Sequence, residues 1–449
     1  MSTALADSIA DRSARGIAAA VSRLITEGSL RPGERLPTVR ILARQLGVSP
    51  TTVSEAWQVL GDAGAIDARG RLGTFVVGPA GQPTPRRYRS ISEGPGHYAL
   101  DLSTGTPDPA LLPDLAPALA RISRRSLTTS YLDDPVLPEL AGVLREHWPF
   151  PPEALTVVDG AMDALDRLIT TVARLGDRVA VERATFPPLL DLLEQIGIEV
   201  IGVEVDDDGI TVESLAAALA HRPVALVTQP RALNPLGVST SAARAAQLAQ
   251  VLRDHTTLVI EDDHAGDIAS APLASLGAHL PDRTVLIRSF SKSHGPDLRL
   301  AAVGGAGDVI GKMVRRRTLG PGWSSRLLQA VLAELLVGDA TTEAIGRARA
   351  AYAERRSTLV AELRSRGVGA SGSDGINVWV DVADERTAQV TLAARGIGVA
   401  PGAPFLVGPS ETDHLRLTVS MLGSGVAALA DEIAGAAGAN SGRRSRRIA

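Results

Sequence analysis

Apolar positions follow two different rhythms along this chain, and the change between them divides it. Over residues 7–27, Ile9, Ile17, Val21, Leu24 and Ile25 recur at helical spacing until Gly28 ends the run. A turn-rich connection, Leu30–Pro37, comes next. A second helix is predicted over 38–46, with Val39, Leu42, Ala43 and Leu46 on one face, and Gly47 breaks it. Ser49 is suited to cap a third helix and Pro50 to open it; that helix runs over 50–62 with Val53, Trp57 and Leu60 facing inward. Two short strands, 65–68 and 74–77, then flank a turn at 69–73. Short helices joined by a Gly-containing turn and succeeded by a hairpin make a helix-turn-helix with a wing.

Residues 79–99 are rich in Pro, Gly and Arg and show no periodicity, so they are expected to be a tether. From residue 100 to 439 short apolar runs alternate with helical stretches. The candidate strands are 155–158, 178–181, 199–203, 224–227, 258–260 and 285–287. This alternation predicts an α/β domain with a mostly parallel sheet. The expected organisation is therefore a head over 1–78, a linker over 79–99, a large domain over 100–439, and a disordered basic tail over 440–449.

Charge and composition sharpen this picture. The whole chain of 449 residues carries a net charge of −4, yet residues 1–80 hold nine arginines against seven acids. That asymmetry favours a polyanionic partner for the head alone. The absence of cysteine excludes disulfides, thiolate metal sites and a cysteine nucleophile. The first residues lack the basic-then-apolar pattern of a signal peptide, and no apolar run is long enough to span a bilayer. The expectation is a soluble, cytoplasmic protein with no membrane partner. Of 46 basic residues only Lys292 and Lys312 are lysines. A guanidinium cannot form a Schiff base at neutral pH, whereas a lysine amine of lowered pKa can.

Lys292 lies in Arg288-Ser-Phe-Ser-Lys292-Ser-His-Gly-Pro-Asp-Leu-Arg299, just past the apolar run Val285–Ile287. Sites in parallel sheets collect beyond the C-terminal ends of strands, so the residues just past the other strands matter. Asp159-Gly160-Ala161-Met162 opens a helix, where free N–H groups suit a phosphate. Thr185-Phe186-Pro187, Asn234-Pro-Leu-Gly237 and Glu261-Asp262-Asp263-His264 lie past three more. A metal site made of Asp262, Asp263 and His264 is a weak rival, because consecutive side chains do not readily converge on one ion.

The first eighty residues closely resemble the winged helix-turn-helix of the GntR regulators. The matching residues are Leu30-x-Pro-Gly-x-Arg-Leu-Pro37, Arg40-x-Leu-Ala-x-x-Leu-Gly-Val-Ser49, Thr52-Val and Gly73-Thr-Phe-Val76. The resemblance implies that Arg40 and the start of the third helix (Ser49, Thr51, Thr52 and Ser54) face a double-stranded DNA operator. It implies that Arg69 and Arg71 reach the flanking groove.

The segment Ser289-Phe-Ser291-Lys292 with Arg299 resembles fold-type I pyridoxal-phosphate enzymes of the aspartate aminotransferase superfamily. The resemblance implies a large domain with a small C-terminal α/β subdomain, and pyridoxal 5'-phosphate carried as a Schiff base on Lys292. It implies a phosphate cradle from Gly160, Ala161, Met162, Ser289, Ser291 and Arg299, and Phe186 stacked on the ring. Asn234 would bond the phenolic oxygen, and Asp262 would sit under the pyridine nitrogen. Tyr131 would reach the phosphate of the other subunit of a homodimer, and Arg416, on a strand carrying an outward arginine, would grip a substrate carboxylate. The chain departs from the pattern at His264, where relatives have a tyrosine; an imidazole can donate a hydrogen bond but can also carry charge near neutral pH. A GntR head joined to an aminotransferase-like domain is the layout of the MocR branch. The implied function is transcription regulation through pyridoxal phosphate, in response to an amino compound or to pyridoxal phosphate itself. A catalytically active aminotransferase with a relic head stays open beside it.

Overall fold

The computed structural model describes residues 5–6, 8–31, 33–62, 65–68, 73–76, 86–92, 98–122, 130 and 132–438. Two compact units are present, one built on residues 1–86 with the segments 173–178 and 190–199, the other on residues 87–172, 179–189 and 200–449.

In the head, α1 (Ala14–Thr26), α2 (Val39–Leu46) and α3 (Pro50–Asp62) bury Ile17, Val21, Leu42, Leu46, Val53 and Leu60 in one core. The first helix begins seven residues later than the apolar spacing suggested. Asp11 Oδ1 accepts from the Ser13 N–H and Ser13 Oγ from the Gly16 N–H, which starts the helix there. Gly47 closes α2 in the left-handed region at φ 68°. The Ser49 hydroxyl accepts from the Thr52 N–H at 3.1 Å and caps α3.

The hairpin strands β1 (Ile66–Ala68) and β2 (Thr74–Val76) pair antiparallel. The connection before α2 pairs with β2 through an isolated bridge at Arg35: the Gly33 and Leu36 N–H groups donate to Val76 and Thr74 carbonyls, and Glu34 O accepts from the Val76 N–H. Sequence alone marks that connection only as a turn. Arg69 and Arg71 lie outside the described residues, as does the basic tail. Within the expected tether, residues 86–92 form a short helix, and Arg87 Nη1 donates to the carbonyls of Pro404 and Leu406 at 3.2 and 3.0 Å.

The large unit holds a seven-stranded sheet. In chain order its strands are β3 (Ala154–Val158), β4 (Arg178–Glu182), β5 (Glu199–Val203), β6 (Ala225–Thr228), β7 (Leu258–Asp263), β8 (Thr284–Ser289) and β9 (Ala301–Gly305). Their spatial order is β3-β9-β8-β7-β6-β4-β5. Strands β4, β6, β7 and β8 run parallel, while β9 is antiparallel to both neighbours. The Ala-Ala-Val-Gly-Gly of β9 has weak strand propensity, and the apolar pattern does not mark it. Strands β6 and β7 are buried throughout, as expected where both faces of a sheet are covered.

The C-terminal subdomain has four strands in the order β10 (Ala370–Ser371), β11 (Asn377–Val382), β13 (Asp413–Thr418), β12 (Ala400–Pro401). They pack with the helices Asp339–Ser365 and Val426–Ala437 on a second core containing Leu359, Val378, Leu417 and Ile433. Among the described residues no helix is long and apolar enough to cross a membrane.

Candidate cofactor site

Four strand ends and one strand of the small subdomain supply the site. Strand β7 ends on Glu261-Asp262-Asp263, all buried. Alternate side chains of a strand face opposite ways, and here each finds its own surroundings. Glu261 Oε1 accepts from the Leu276 N–H at 2.7 Å, and burial pushes its carboxyl up to about 7. Asp263 makes a bidentate ion pair with Arg231, both contacts 2.8 Å. Asp262 Oδ2 accepts from Gln229 Nε2 at 3.1 Å, but its Oδ1 is buried with no partner. Burial raises the Asp262 carboxyl to about 6, against the pull of the Gln229 hydrogen bond and Lys292.

Lys292 comes just after β8. Burial draws its pKa down to about 8; the Asp262 carboxylate opposes that shift and the Arg416 guanidinium adds to it. Lys292 is thus close enough to both Asp262 and Arg416 to feel their charges. Lys312, the other lysine, is exposed and paired with Asp308 at 2.6 Å. His264 adjoins Lys292, and its Nδ1 is buried without a partner. Burial, then the Lys292 and Arg231 cations, hold its pKa well below the usual imidazole value. The charge that sequence leaves open for His264 is therefore absent at neutral pH.

A continuous hydrogen-bonded chain leads from Asp262 to Arg416. Gln229 Nε2 holds Asp262, and Gln229 Oε1 accepts from the Asn234 N–H at 2.9 Å. Asn234 Oδ1 accepts from Asn377 Nδ2 at 3.2 Å, and Asn377 Oδ1 from Arg416 Nη1 at 3.3 Å. Glu182 anchors the start, accepting from the Gln229 N–H at 2.5 Å and the Thr228 hydroxyl at 2.6 Å. Sequence reasoning misses Glu182, Gln229 and Asn377. The available signal is an acid that follows three apolar residues in the strand Arg178–Glu182, since a buried carboxylate needs partners.

Arg416 is not an outward residue. It is 3% exposed, its Nη1 donates to Thr418 Oγ1 and its Nη2 to the Ser103 carbonyl, while Nε is buried with no partner. The acceptors on Ser103, Asn377 and Thr418 make that burial tolerable, and the Phe405 ring lies 5.2 Å from the guanidinium. Nε therefore keeps one buried N–H that no described residue satisfies.

Beyond β3, Gly160 has φ 100° and precedes the helix Ala161–Val172. A Cβ there would come within 3.4 Å of Arg299 Nη2, so the guanidinium lies against the turn. Ala161 and Met162 stand in the first helical turn, whose N–H groups lack helical acceptors. Ser289 is buried at the end of β8 and its Oγ accepts from the Ser291 N–H at 3.4 Å. Phe186 is half-buried just before the helix Pro187–Ile196. Tyr131 lies outside the described residues.

The head presents a different surface. Arg40, Ser49, Thr51 and Ser54 are exposed at the start of α2 and α3, while Thr52 is half-buried and its hydroxyl shares a 2.8 Å hydrogen bond with Ser49.

A family model of bacterial regulatory proteins of the gntR family matches residues 13–76, and one of class I and II aminotransferases matches residues 99–433. The chain is 37% identical over 420 residues to the vitamin B6 salvage pathway transcriptional repressor PtsJ of Salmonella typhimurium, covering 92% of this chain and 95% of that protein. The chain belongs to the MocR-type GntR regulators. A second MocR-type relative is the pyridoxine biosynthesis regulator PdxR of Corynebacterium glutamicum, 29% identical over 352 residues, 76% of each chain. Among solved structures, the α-aminoadipate aminotransferase LysN of Thermus thermophilus superposes with a TM-score of 0.70 at 23% identity, covering 80% of this chain and 95% of that one. That likeness shows a fold-type I large domain behind the GntR head, as expected. The regulator reading fits this MocR-type chain best.

Proposed function

We propose that this protein is a DNA-binding transcription regulator that holds pyridoxal phosphate at Lys292 and changes its operator affinity when the site takes up an amino compound. The observation that carries this is Asp262 Oδ1, a carboxylate oxygen buried without a partner in the same cleft as a lysine whose pKa is drawn down to about 8. A buried acceptor left open this way costs stability unless a ligand donor meets it.

When bound, pyridoxal phosphate supplies an aldehyde that condenses with amines and a ring that draws electrons. The chain's own residues do the rest. Arg299, the Ser289 and Ser291 hydroxyls and the N–H groups at Gly160–Met162 receive the phosphate. Asp262 Oδ1 would accept from the ring nitrogen, with Gln229 fixing its other oxygen. Phe186 would cover the ring. Neutral His264 and the Asn234 amide serve the phenolic oxygen. Lys292 takes up and gives back a proton near pH 8. The Arg416 guanidinium binds the carboxylate of the amino compound. Arg40, Thr51 and Ser54, with Ser49 and Thr52 setting the helix start, face the operator; Arg69 and Arg71 flank it. We assign a cytoplasmic homodimer in which Tyr131 completes the partner's phosphate site.

The test is operator affinity measured with and without pyridoxal phosphate, and across a panel of amino acids. A ligand shifts DNA binding only by its differential affinity for two protein states. Equal affinity in every condition overturns the reading. The intact Arg416 guanidinium favours a second one, an aminotransferase; keto acid released on each turnover would establish it.

A further inference from the structure

Arg288 and His294 bracket the Lys292 turn, and both line a cavity of about 270 Å³ that none of Lys292, Asp262, Asn234 or Arg416 reaches. Its other walls come from the ends of the helices Pro138–Glu146 and Arg326–Leu336 and from the first turns of Asp339–Ser365. Among its described lining residues Asp267 is the one acid, and that acid is spent: both carboxylate oxygens accept from Arg288 Nη2, at 3.0 and 3.1 Å. Arg349 Nε and Nη2 are turned to the Asp267 carbonyl, at 3.0 and 2.6 Å.

What is left over is donors. Nη1 of Arg288 and Nη1 of Arg349 have no acceptor among the described residues, and neither does the hydroxyl of Thr341, a residue 7% exposed. His294 is 2% exposed; its Nδ1 shares a 2.8 Å hydrogen bond with Ser293, and its Nε2 faces no protein partner among the described residues. Burial pushes the His294 pKa down to about 4, so the ring is neutral, and with Nδ1 accepting from the Ser293 hydroxyl it is Nε2 that carries the proton and donates. Two guanidiniums meet one carboxylate, which leaves one positive charge in a partly desolvated space. Val143, Leu335 and Ile345 give the same space an apolar wall. A concave site with an apolar wall and a few convergent donors suits a small organic ligand, and a guanidinium without a carboxylate of its own favours an anionic one, which gains charge-assisted hydrogen bonds.

We propose that this cavity binds a small carboxylate with an apolar body, a short aliphatic or single-ring acid, at a site separate from the cofactor cleft. The occupant would touch both ends of the segment that carries Lys292, Arg288 before it and His294 after it.

Calorimetric titration of the full chain with hexanoate and benzoate, and with hexanamide and benzamide as neutral controls, tests this. One carboxylate should bind per chain, at least tenfold tighter than its amide. Arg349 is exposed, so Arg349→Met leaves the fold in place and should weaken carboxylate binding at least tenfold; Thr341→Val should weaken it in the same direction. Arg416→Met, which removes the guanidinium in the cleft, should leave it unchanged. Failure of both acids to bind, or amides binding as well as acids, overturns the proposal. So does binding that survives Arg349→Met and disappears with Arg416→Met, which would place the carboxylate in the cofactor cleft.

Discussion

The face of α2 and α3 and the cleft around Lys292 are both rich in polar groups, but they handle them in opposite ways. Arg40, Thr51 and Ser54 stand exposed, where water satisfies them until a partner arrives. Asp262, His264 and Arg416 are buried at 2%, 9% and 3% exposure, and each keeps one polar atom with no partner. The first surface works by charge that salt can screen. The second works by groups already stripped of water and waiting for one particular molecule. Binding at the head should therefore respond to ionic strength, and binding at the cleft to pH and to single-atom changes.

Four experiments can break or sharpen that contrast. The largest effect is expected from Lys292→Ala: borohydride reduction with pyridoxal phosphate should label wild type at Lys292, and mass spectrometry of the variant should find no label in that peptide. Equal labelling of Lys312 in both proteins would show that exposure, and not the cleft, selects the amine. Asp262→Ala should weaken pyridoxal phosphate by about 100-fold, the scale of a lost charge-assisted hydrogen bond, with little change on raising salt. Arg40→Ala should weaken operator binding by about 10- to 100-fold and reduce the slope of log affinity against log salt by about one if it meets a phosphate. For pH, the reactive form of Lys292 is the free amine, and its pKa lies at about 8. The free fraction rises from about a tenth at pH 7 to about nine tenths at pH 9, so the condensation rate should climb about tenfold over that range and then level. Asp262, at about 6, is already ionised there and adds no second step. A stopped-flow rate flat between pH 7 and 9 would separate the lysine from its proposed role.

The two regions also differ in how far they can be read in advance. The head is contiguous, and its signals are local: Gly47 ends a helix, Ser49 caps the next, and both act on residues three or four away. The pairing of residues 33–36 escapes such a reading, because its partner is β2 some forty residues on. In the large unit, the ends of the apolar runs pointed to Gly160, Phe186, Asn234, Asp262 and Lys292; in the fold Asp262 lies within the end of β7, which runs on to Asp263, and the other four lie in the loops that follow β3, β4, β6 and β8. The same approach could not find Glu182, Gln229 or Asn377. Their meaning lies in what stands beside them across the sheet and the subdomain, and a run of residues records only its neighbours along the chain. Arg416 is misjudged for the same reason. An arginine in an alternating strand reads as solvent-facing until the acceptors on Ser103 and Asn377, hundreds of positions and tens of positions away, are brought to it.

The near-absence of lysine has a practical consequence. Pyridoxal phosphate is an indiscriminate electrophile, and an ordinary protein surface offers it dozens of competing amines. Here the surface cations are guanidiniums, and the single other side-chain amine, on Lys312, is tied to the Asp308 carboxylate. A sensor built this way has almost no background: covalent capture of the aldehyde by a side chain reports one location.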